Sequence, residues 1–210
     1  MPTARPRPDS RARILAGALE RFTAYGYRRT ALEDIAQAAG LSRASVYVHF
    51  RNKEDVFRAL ARQLHTEGLA AAESAAAADG PLAVRLRALF TAKLTPVATL
   101  ARTSPHAAEL LDENDRVAGD VAAEFRKRLV RVLARLVAAA IAAGEVDPAR
   151  VGLSARGAAE LIVDGVKGIE IASAAAAATP AQLTRRVGQL VDLVVAGLAL
   201  PAPIPHGRRA

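Results

Sequence analysis

Three side chains able to hydrogen-bond to DNA bases lie within seven residues of one another, at Arg43, Ser45 and His49. A guanidinium can form two hydrogen bonds to the edge of a guanine, and a serine hydroxyl can bond to either kind of base pair. On a helix these residues would lie on roughly the same side over two turns. These residue types could therefore contact base edges, with Arg43 as the strongest candidate, if a local element presents them to DNA.

Catalytic and metal-binding patterns are missing from the sequence. The histidines, at positions 49, 65, 106 and 206, never have H-x-x-x-H or H-E-x-x-H spacing. There is no G-x-S-x-G segment and no phosphate-binding glycine loop. Because cysteine is absent as well, disulfides and thiolate sites are impossible. We therefore expect no enzymatic activity, no metal and no cofactor.

The elements that would position these candidate base contacts are two short helices separated by a tight turn. Thr30 and Glu33 have the T-x-x-E spacing of a capping box, which predicts a helix over residues 31–38. Gly40 suits the left-handed position after that helix, and Ser42 caps a second helix. The inward positions of the second helix are expected to be Val46, Tyr47 and Phe50. This arrangement is a helix-turn-helix.

Longer helices are predicted on both sides of this motif. Apolar residues at helical spacing indicate a first helix over residues 10–25, which Gly26 would end. A fourth helix is expected to begin at Asn52 and to continue to about Ala78. The first three helices would then form one small domain.

The segment resembles the DNA-binding domain of TetR-family transcriptional regulators. The positions that carry the resemblance are Thr30, Ile35, Ala36, Ala39, Gly40, Leu41, Ser42, Ser45, Val46, Tyr47, His49, Phe50, Asn52, Lys53 and Phe57. One departure is Ala44, where the family often has glycine. The resemblance is close over residues 10–60, and beyond them it is a match of length and helical pattern only.

The resemblance implies a set of DNA contacts. In similar proteins, residues at the matching positions meet DNA, with Tyr47 and Lys53 contacting phosphate rather than bases. Thr30 and the first-turn amides of its helix offer further donors to phosphate. The predicted DNA-binding residues are Thr30, Ser42, Arg43, Ala44, Ser45, Tyr47, His49 and Lys53.

The rest of the chain has no strand pattern and is expected to be helical. Helices are predicted over residues 81–94, 96–103, 105–112, 114–143, 151–177 and 180–200. Pro96 could instead lie inside one long helix. The expected fold class is all-α, with an N-terminal three-helix DNA-binding domain followed by a C-terminal helical bundle.

The predicted domain organisation has four parts. A basic, proline-rich arm covers residues 1–9, and is expected to be disordered. The DNA-binding domain, called the head below, covers residues 10–55. The body, an effector-binding and dimerisation domain, covers residues 56–200. A proline-rich tail covers residues 201–210.

The last two long helices are predicted to form a homodimer. One carries small residues at spacings of three and four, and the other carries an apolar stripe. Packed against their two-fold copies they would form a four-helix interface, as in TetR-like regulators. The alternative is ordinary packing within one chain. The predicted interface residues are Leu161, Gly165, Gly168, Leu190, Val194 and Leu198.

The resemblance also implies an effector pocket in the body. Polar groups on otherwise apolar helices are the best indication of its position. The residues predicted to bind a small-molecule effector of unknown identity are His65, Thr95, His106, Glu109, Asp164 and Lys167. Each could equally be a satisfied core group or a solvent-exposed residue.

The net charge of the 210-residue chain is +8, and its basic excess is concentrated near the N-terminus. Residues 1–60 contain 11 lysines and arginines against 6 acidic residues, whereas the remainder contains 18 against 15. A basic surface of this kind is expected where a protein binds phosphate. A genome-wide bias towards arginine is the alternative explanation.

The sequence also bears on location. It has no uncharged apolar run of about 18 residues, and it has no apolar N-terminal leader segment. We therefore expect a cytoplasmic protein that does not associate with a membrane, and the resemblance implies a bacterial protein that associates with the nucleoid.

Together these observations predict a ligand-responsive transcriptional regulator, with repression as the expected mode. It would bind a palindromic double-stranded DNA operator as a homodimer, and a small-molecule effector would release it. The alternative is a helical small-molecule-binding or scaffold protein whose helix-turn-helix is vestigial.

Overall fold

A computed structural model describes residues 9–176 and 178–200, and the regular secondary structure of these residues is helical. The head contains α1 (Ser10–Tyr25), α2 (Leu32–Ala38) and α3 (Arg43–His49), and α4 (Lys53–Ala76) follows it. The later helices are α5 (Leu82–Thr103), α6 (Ala107–Val117), α7 (Gly119–Ala142), α8 (Ala155–Ala175) and α9 (Pro180–Leu198), with a 3₁₀ turn at Pro148–Val151. The all-α prediction is confirmed. The predicted tail and all of the predicted arm except Asp9 lie outside the described residues.

The described residues form two compact units that alternate along the chain. The first contains the residues up to Ala71 together with Lys93–Arg126. The second contains Ala72–Ala92 and the residues from Lys127 onward. Helices α4, α5 and α7 therefore each contribute residues to both units.

The core of the first unit joins the head to α4, α6 and the start of α7. Three aromatic rings form a cluster whose centroids lie 5.0–5.5 Å apart. They belong to Phe22 of α1, to Tyr27 in the connection between α1 and α2, and to Phe57 of α4. Tilted and edge-on pairs at this separation add about 0.5–1.5 kcal/mol each to the burial itself. Val117 and Val121 belong to the same buried cluster. The head thus shares its core with helices that follow it in sequence.

Three predicted boundaries in the body are wrong. Helix α8 begins at Ala155 and not at residue 151, because a 3₁₀ turn covers Pro148–Val151 and Gly152 follows it in a left-handed conformation. Helix α5 passes unbroken through Pro96, so the alternative of one long helix is confirmed and the break before this residue is not. Helix α6 continues to Val117, and the break before α7 falls at Ala118. Ala118 is fully buried, and its N–H donates to the Asn114 carbonyl at 3.0 Å. The chain therefore crosses this break inside the core instead of in an exposed loop.

In the second unit, α8 and α9 pack against each other within one chain. Gly165 of α8 allows close approach, since a Cβ atom there would lie 2.9 Å from Leu190 Cδ2 of α9. A capping box starts α9, in which Thr179 Oγ1 accepts from the Gln182 N–H at 3.3 Å. The Thr179 N–H donates in return to Gln182 Oε1 at 2.7 Å. This local cap fixes where α9 begins.

Candidate nucleic-acid interface

The turn between α2 and α3 is held by a glycine and by an arginine from α1. Gly40 has a φ of +62°, a left-handed conformation that glycine adopts without steric cost. Arg13 Nη2 donates to the carbonyl oxygens of Ala39 at 2.7 Å and Gly40 at 2.9 Å. The end of a helix leaves such carbonyls without intrahelical partners. The arginine of α1 therefore fixes the turn that directs α3.

The start of α2 differs from the predicted capping box by one residue. The N–H of Ala31 donates to Asp34 Oδ2 at 2.8 Å, so the acidic partner is Asp34 and not Glu33. Thr30 is only 2% exposed, and its hydroxyl donates to the Gly26 carbonyl at 2.7 Å. The predicted Thr30–Glu33 box is wrong because Thr30 closes the connection between α1 and α2. In this geometry its hydroxyl does not face solvent, where a phosphate would approach.

Helix α3 has one buried face and one fully exposed face. Ser42 caps its first turn, as predicted, by accepting from the Ser45 N–H at 3.1 Å. Val46 is completely buried. At about 3.6 residues per turn, the residues two positions before and after Val46 lie almost opposite to it on the helix. Those residues are Ala44 and Val48, both exposed, and they form the outermost face of α3.

Arg43 lies on the flank of α3 beside α2. Its Nη1 lies 2.5 Å from Glu33 Oε1, and its Nη2 donates to the Tyr47 hydroxyl at 3.1 Å. The hydrogen bond with Tyr47, together with the charge of Glu33, raises the pKa of the Arg43 guanidinium. The side chain is 61% exposed. Arg43 is therefore charged, accessible and already oriented by two neighbouring side chains.

Tyr47 is exposed, so the prediction that its ring fills the core is wrong. Val46 and Phe50 occupy the inward positions. Tyr47 follows Val46 by one residue, which places it about 100° around the helix from the buried face.

On the flank opposite Arg43 and Tyr47 lie Ser45, which is half-buried, and His49, which is exposed. The prediction that Ser45 and His49 share one side of the helix with Arg43 is therefore wrong, because residues two and six positions after Arg43 are rotated by about 200° and 240° from it. Hydrogen-bonding side chains thus border both sides of the outermost face.

Lys53, at the start of α4, points towards the connection between α1 and α2. Its Nζ donates to the Tyr27 carbonyl at 2.7 Å and to the Arg28 carbonyl at 3.3 Å, and it lies 4.4 Å from the centroid of the Tyr27 ring. Burial lowers the pKa of Lys53, while the charges of Glu113 and Glu109 act in the opposite direction. An ammonium has three N–H donors, so one remains for a phosphate after these two bonds.

Helix α6 contacts the head through two carboxylates that the sequence analysis did not connect with it. Glu109 Oε1 accepts from the Arg28 N–H at 2.8 Å. Glu113 is buried, accepts from Arg116 Nε at 2.7 Å and lies 3.6 Å from Arg28 Nε. Arg28 and Glu109 are 81 residues apart in sequence. No local pattern indicates a contact over that separation.

The residues predicted to bind an effector have different surroundings. His106 Nδ1 and Glu109 Oε2 are 3.8 Å apart, and the carboxylate of Glu109 is bonded to the head. The ring of His65 stacks on Phe125, with centroids 4.8 Å apart. The remaining members of the set are exposed, namely Thr95, Asp164 and Lys167. An effector role for these six residues stays a prediction.

The residues predicted to form a dimer interface divide into packed and exposed members. Gly165 contacts Leu190 of its own chain, and Leu198 is buried. Packing within one chain, the alternative stated above, accounts for Gly165, Leu190 and Leu198. Val194 is half-buried. Two members of the predicted set are exposed, Leu161 and Gly168. Two large apolar residues of the same helices that were not in the set, Ile171 and Leu193, are exposed as well. The dimer stays a prediction that these four support.

Two other kinds of feature are missing from the part of the chain that the structure describes. Within residues 9–176 and 178–200, no group of three or more histidine, aspartate or glutamate side chains lies close enough to hold a metal ion. None of the described helices has the length and apolar character needed to cross a membrane.

Comparison with known protein sequences supports a DNA-binding assignment for the head. Residues 14–60 match the family described as bacterial regulatory proteins, tetR family. Over 64 residues the chain is 44% identical to the HTH-type transcriptional repressor Rv1474c of Mycobacterium tuberculosis. That alignment covers 30% of this chain and 34% of the repressor, so the chain spans about a third of the length of this curated relative.

Comparison with solved structures extends the similarity to the whole fold. A crystal structure of a transcriptional regulator from Cytophaga hutchinsonii has a TM-score of 0.75 at 17% identity, and the match covers 89% of this chain and 97% of that one. A complex of SmeT with triclosan has a TM-score of 0.67 at 23% identity, covering 94% and 99%. SmeT is the repressor of the Stenotrophomonas maltophilia multidrug efflux pump SmeDEF. At these identities the likeness shows the fold alone.

Proposed function

Because the chain belongs to the TetR family of transcriptional regulators, we propose that it is a homodimeric repressor that binds a palindromic DNA operator and leaves it when a small-molecule effector binds. Members of this family are DNA-binding regulators and not enzymes. The observation that carries the proposal is α3, which is anchored at Val46 and exposes its opposite face. From Ile35 to Lys53 the sequence contains no acidic residue that would repel phosphate.

The proposed DNA contacts follow from the two flanks of α3. Arg43 and Tyr47 lie on one flank, and Ser45 and His49 lie on the other. Arg43 would exchange its ion pair with Glu33 for the edge of a guanine, to which a guanidinium can bond at two points. Phosphate contacts from Tyr47 and Lys53 would set the position of the head without reading sequence.

Dimerisation is supported by the apolar residues that one chain leaves exposed on α8 and α9. Leu193 is 73% exposed, and Leu161 and Ile171 are about 60% exposed. Gly168 has no atom within 4 Å of the position its Cβ would take, so a second backbone can approach there. A two-fold pair of these helices would bury this apolar surface and present two heads to two operator half-sites.

The effector is proposed to act by population shift in the bacterial cytoplasm. A ligand that binds better to one spacing of the two heads shifts the dimer towards that spacing. If that spacing does not fit adjacent major grooves, the operator is released. The similarity in fold to a protein solved in complex with triclosan supports a small molecule as the effector.

The test begins with selection of duplexes from a random DNA library by the full-length protein. Fluorescence anisotropy then compares the selected duplex with a random one. Arg43→Ala should weaken binding to the selected duplex by roughly 5- to 150-fold, or about 1–3 kcal/mol, and should change random binding little. The matched control is Arg131→Ala, which removes an exposed arginine from α7 in the second unit and should have no effect.

Three results would contradict the proposal. Failure to enrich any duplex would indicate a vestigial helix-turn-helix. Equal losses for both variants would show that the interface is misplaced. A ligand found by thermal-shift screening that binds tightly but leaves operator affinity unchanged would refute the switch, because the two binding equilibria must be linked reciprocally.

A further inference from the structure

The outermost face of α3 is apolar, although the helix lies in the basic head. Val48 is 80% exposed, more than any other large apolar side chain among the described residues. Ala44, one turn before it, is exposed as well. These two residues lie opposite the buried Val46, so they are the first groups that a partner of α3 meets. Neither side chain can form a hydrogen bond.

We propose that Val48, together with Ala44, forms an apolar strip that contacts the 5-methyl groups of thymines in the operator. This inference rests on the proposed function, and it identifies what the most exposed part of α3 reads. In the major groove, thymine is the base that presents a methyl group, and apolar side chains are the groups that contact it. Val48 is therefore a specificity-determining residue for A·T pairs.

The surroundings of the strip favour DNA over an apolar protein partner. A cationic side chain, Arg43, and a hydroxyl, that of Tyr47, border the strip on one side, and Ser45 and His49 border it on the other. Such groups match base edges and phosphates. A protein-binding apolar patch would instead be expected to continue into neighbouring apolar residues.

The dimensions of the helix match the spacing of base pairs. Ala44 and Val48 are separated by four residues, which is about 6 Å along a helix that rises about 1.5 Å per residue. Base pairs in one duplex are spaced by about 3.4 Å. The two side chains therefore reach base pairs about two steps apart. The selected duplex should contain thymines, on either strand, at this separation in each half-site.

The experiment replaces single thymines in the selected duplex by deoxyuridine, which removes only the methyl group. For the wild-type protein, replacement at the position facing Val48 should weaken binding about fourfold per half-site, the value expected for one buried methyl group. For Val48→Ala, which changes both protomers, affinity for the unmodified duplex should fall by about the same factor for each half-site. The same deoxyuridine replacement should then have little further effect on this variant.

Two controls separate this effect from general damage. Val84→Ala truncates an exposed valine on α5 in the second unit and should retain the full response to deoxyuridine. Because Val48 contacts solvent, its truncation should leave the helical circular dichroism and the urea midpoint unchanged. A shift in either would contradict the exposed position on which the inference depends.

The outcomes distinguish this inference from the proposed function. If no duplex is selected, the proposed function fails and this inference fails with it. If a duplex is selected but no deoxyuridine replacement weakens binding, only this inference is overturned. It is also overturned if the loss is the same for the wild type and for Val48→Ala. Unchanged DNA binding by Val48→Ala, with loss of association to a protein, would assign the strip to a protein partner.

Discussion

Gly26 and Glu109 provide a direct test of the contact between the head and α6. Gly26 ends α1 with φ 83° and ψ 164°, a backbone conformation that is essentially restricted to glycine. A Cβ atom at this position would overlap Glu109 Oε2 and lie 3.1 Å from Glu109 Cδ. Gly26→Ala therefore perturbs two things at once, the backbone of the connection and the carboxylate that accepts from Arg28.

The expected magnitude follows from these two contributions. The backbone strain should cost about 1–3 kcal/mol. Displacing the Glu109 carboxylate loses a hydrogen bond that involves a charged group, which is worth about 1.5–3 kcal/mol. Gly26→Ala should therefore destabilise the head by about 2.5–6 kcal/mol. Glu109→Ala alone should cost only the hydrogen-bond part, about 1.5–3 kcal/mol.

Urea denaturation at one fixed protein concentration measures these changes, because dimerisation would otherwise shift the midpoint. The chain has no tryptophan, and its tyrosines are at positions 25, 27 and 47, so tyrosine fluorescence reports on the head. Circular dichroism reports on all helices. Gly144→Ala is the matched control, because Gly144 also has a positive φ, +71°, but no atom lies within 4 Å of its Cβ position.

The double variant decides between the two contributions. Without the Glu109 carboxylate, Gly26→Ala should cost only the backbone strain of about 1–3 kcal/mol. The two substitutions should therefore be clearly non-additive, as expected for residues in contact. If Gly26→Ala costs the same with and without Glu109, the carboxylate does not lie against the connection, and the described link between α6 and the head is refuted.

Three further predictions follow from the described geometry. Leu193→Glu should place a charge on the exposed face of α9 and give a monomer in sedimentation at micromolar concentration; a persistent dimer would show that the interface lies elsewhere. Lys53→Ala should lower the urea midpoint of the head. It should also reduce the steepness of the plot of log K for DNA binding against log salt by about one; an unchanged slope would leave Lys53 with a structural role only. The pKa of Asp120 is lowered first of all by its hydrogen bond with Arg58, so this pair stabilises the fold at a pH above the ordinary aspartate pKa, and the contribution is lost as pH falls through the lowered pKa. Carboxyl NMR should find that Asp120 titrates below the ordinary aspartate pKa and that Arg58→Ala moves the titration towards that pKa; equal titration midpoints in the two proteins would contradict the pairing.

Local signals explain why the head was predicted well. The left-handed glycine at position 40, the cap at Ser42 and the helical spacing of the apolar residues each act over a few residues of sequence. The start of α2 was displaced by one residue because Thr30 bonds to the Gly26 carbonyl. That choice depends on how α1 ends, and the T-x-x-E pattern does not contain this information.

Contacts between distant segments explain what the sequence could not predict. No sequence pattern connected α6 with the head, whereas Glu109 and Glu113 of α6 contact it. On α8, a stripe of small residues could not show whether Gly165 approaches Leu190 of the same chain or a second copy. In α3, Val48 stands at a position where the family pattern has no fixed residue, so its exposure emerged only from the fold.

The alternation of the two compact units along the chain has a consequence for biosynthesis. The helix-turn-helix leaves the ribosome early, but Lys93–Arg126 completes the unit to which it belongs. At about 5–20 residues per second, synthesis from residue 60 to residue 126 takes about 3–13 s. During this interval Arg28 lacks its carboxylate partners on α6, and the apolar residues of the head lack Val117 and Val121. The nascent head therefore obtains its complete core only when more than half of the protein has been made.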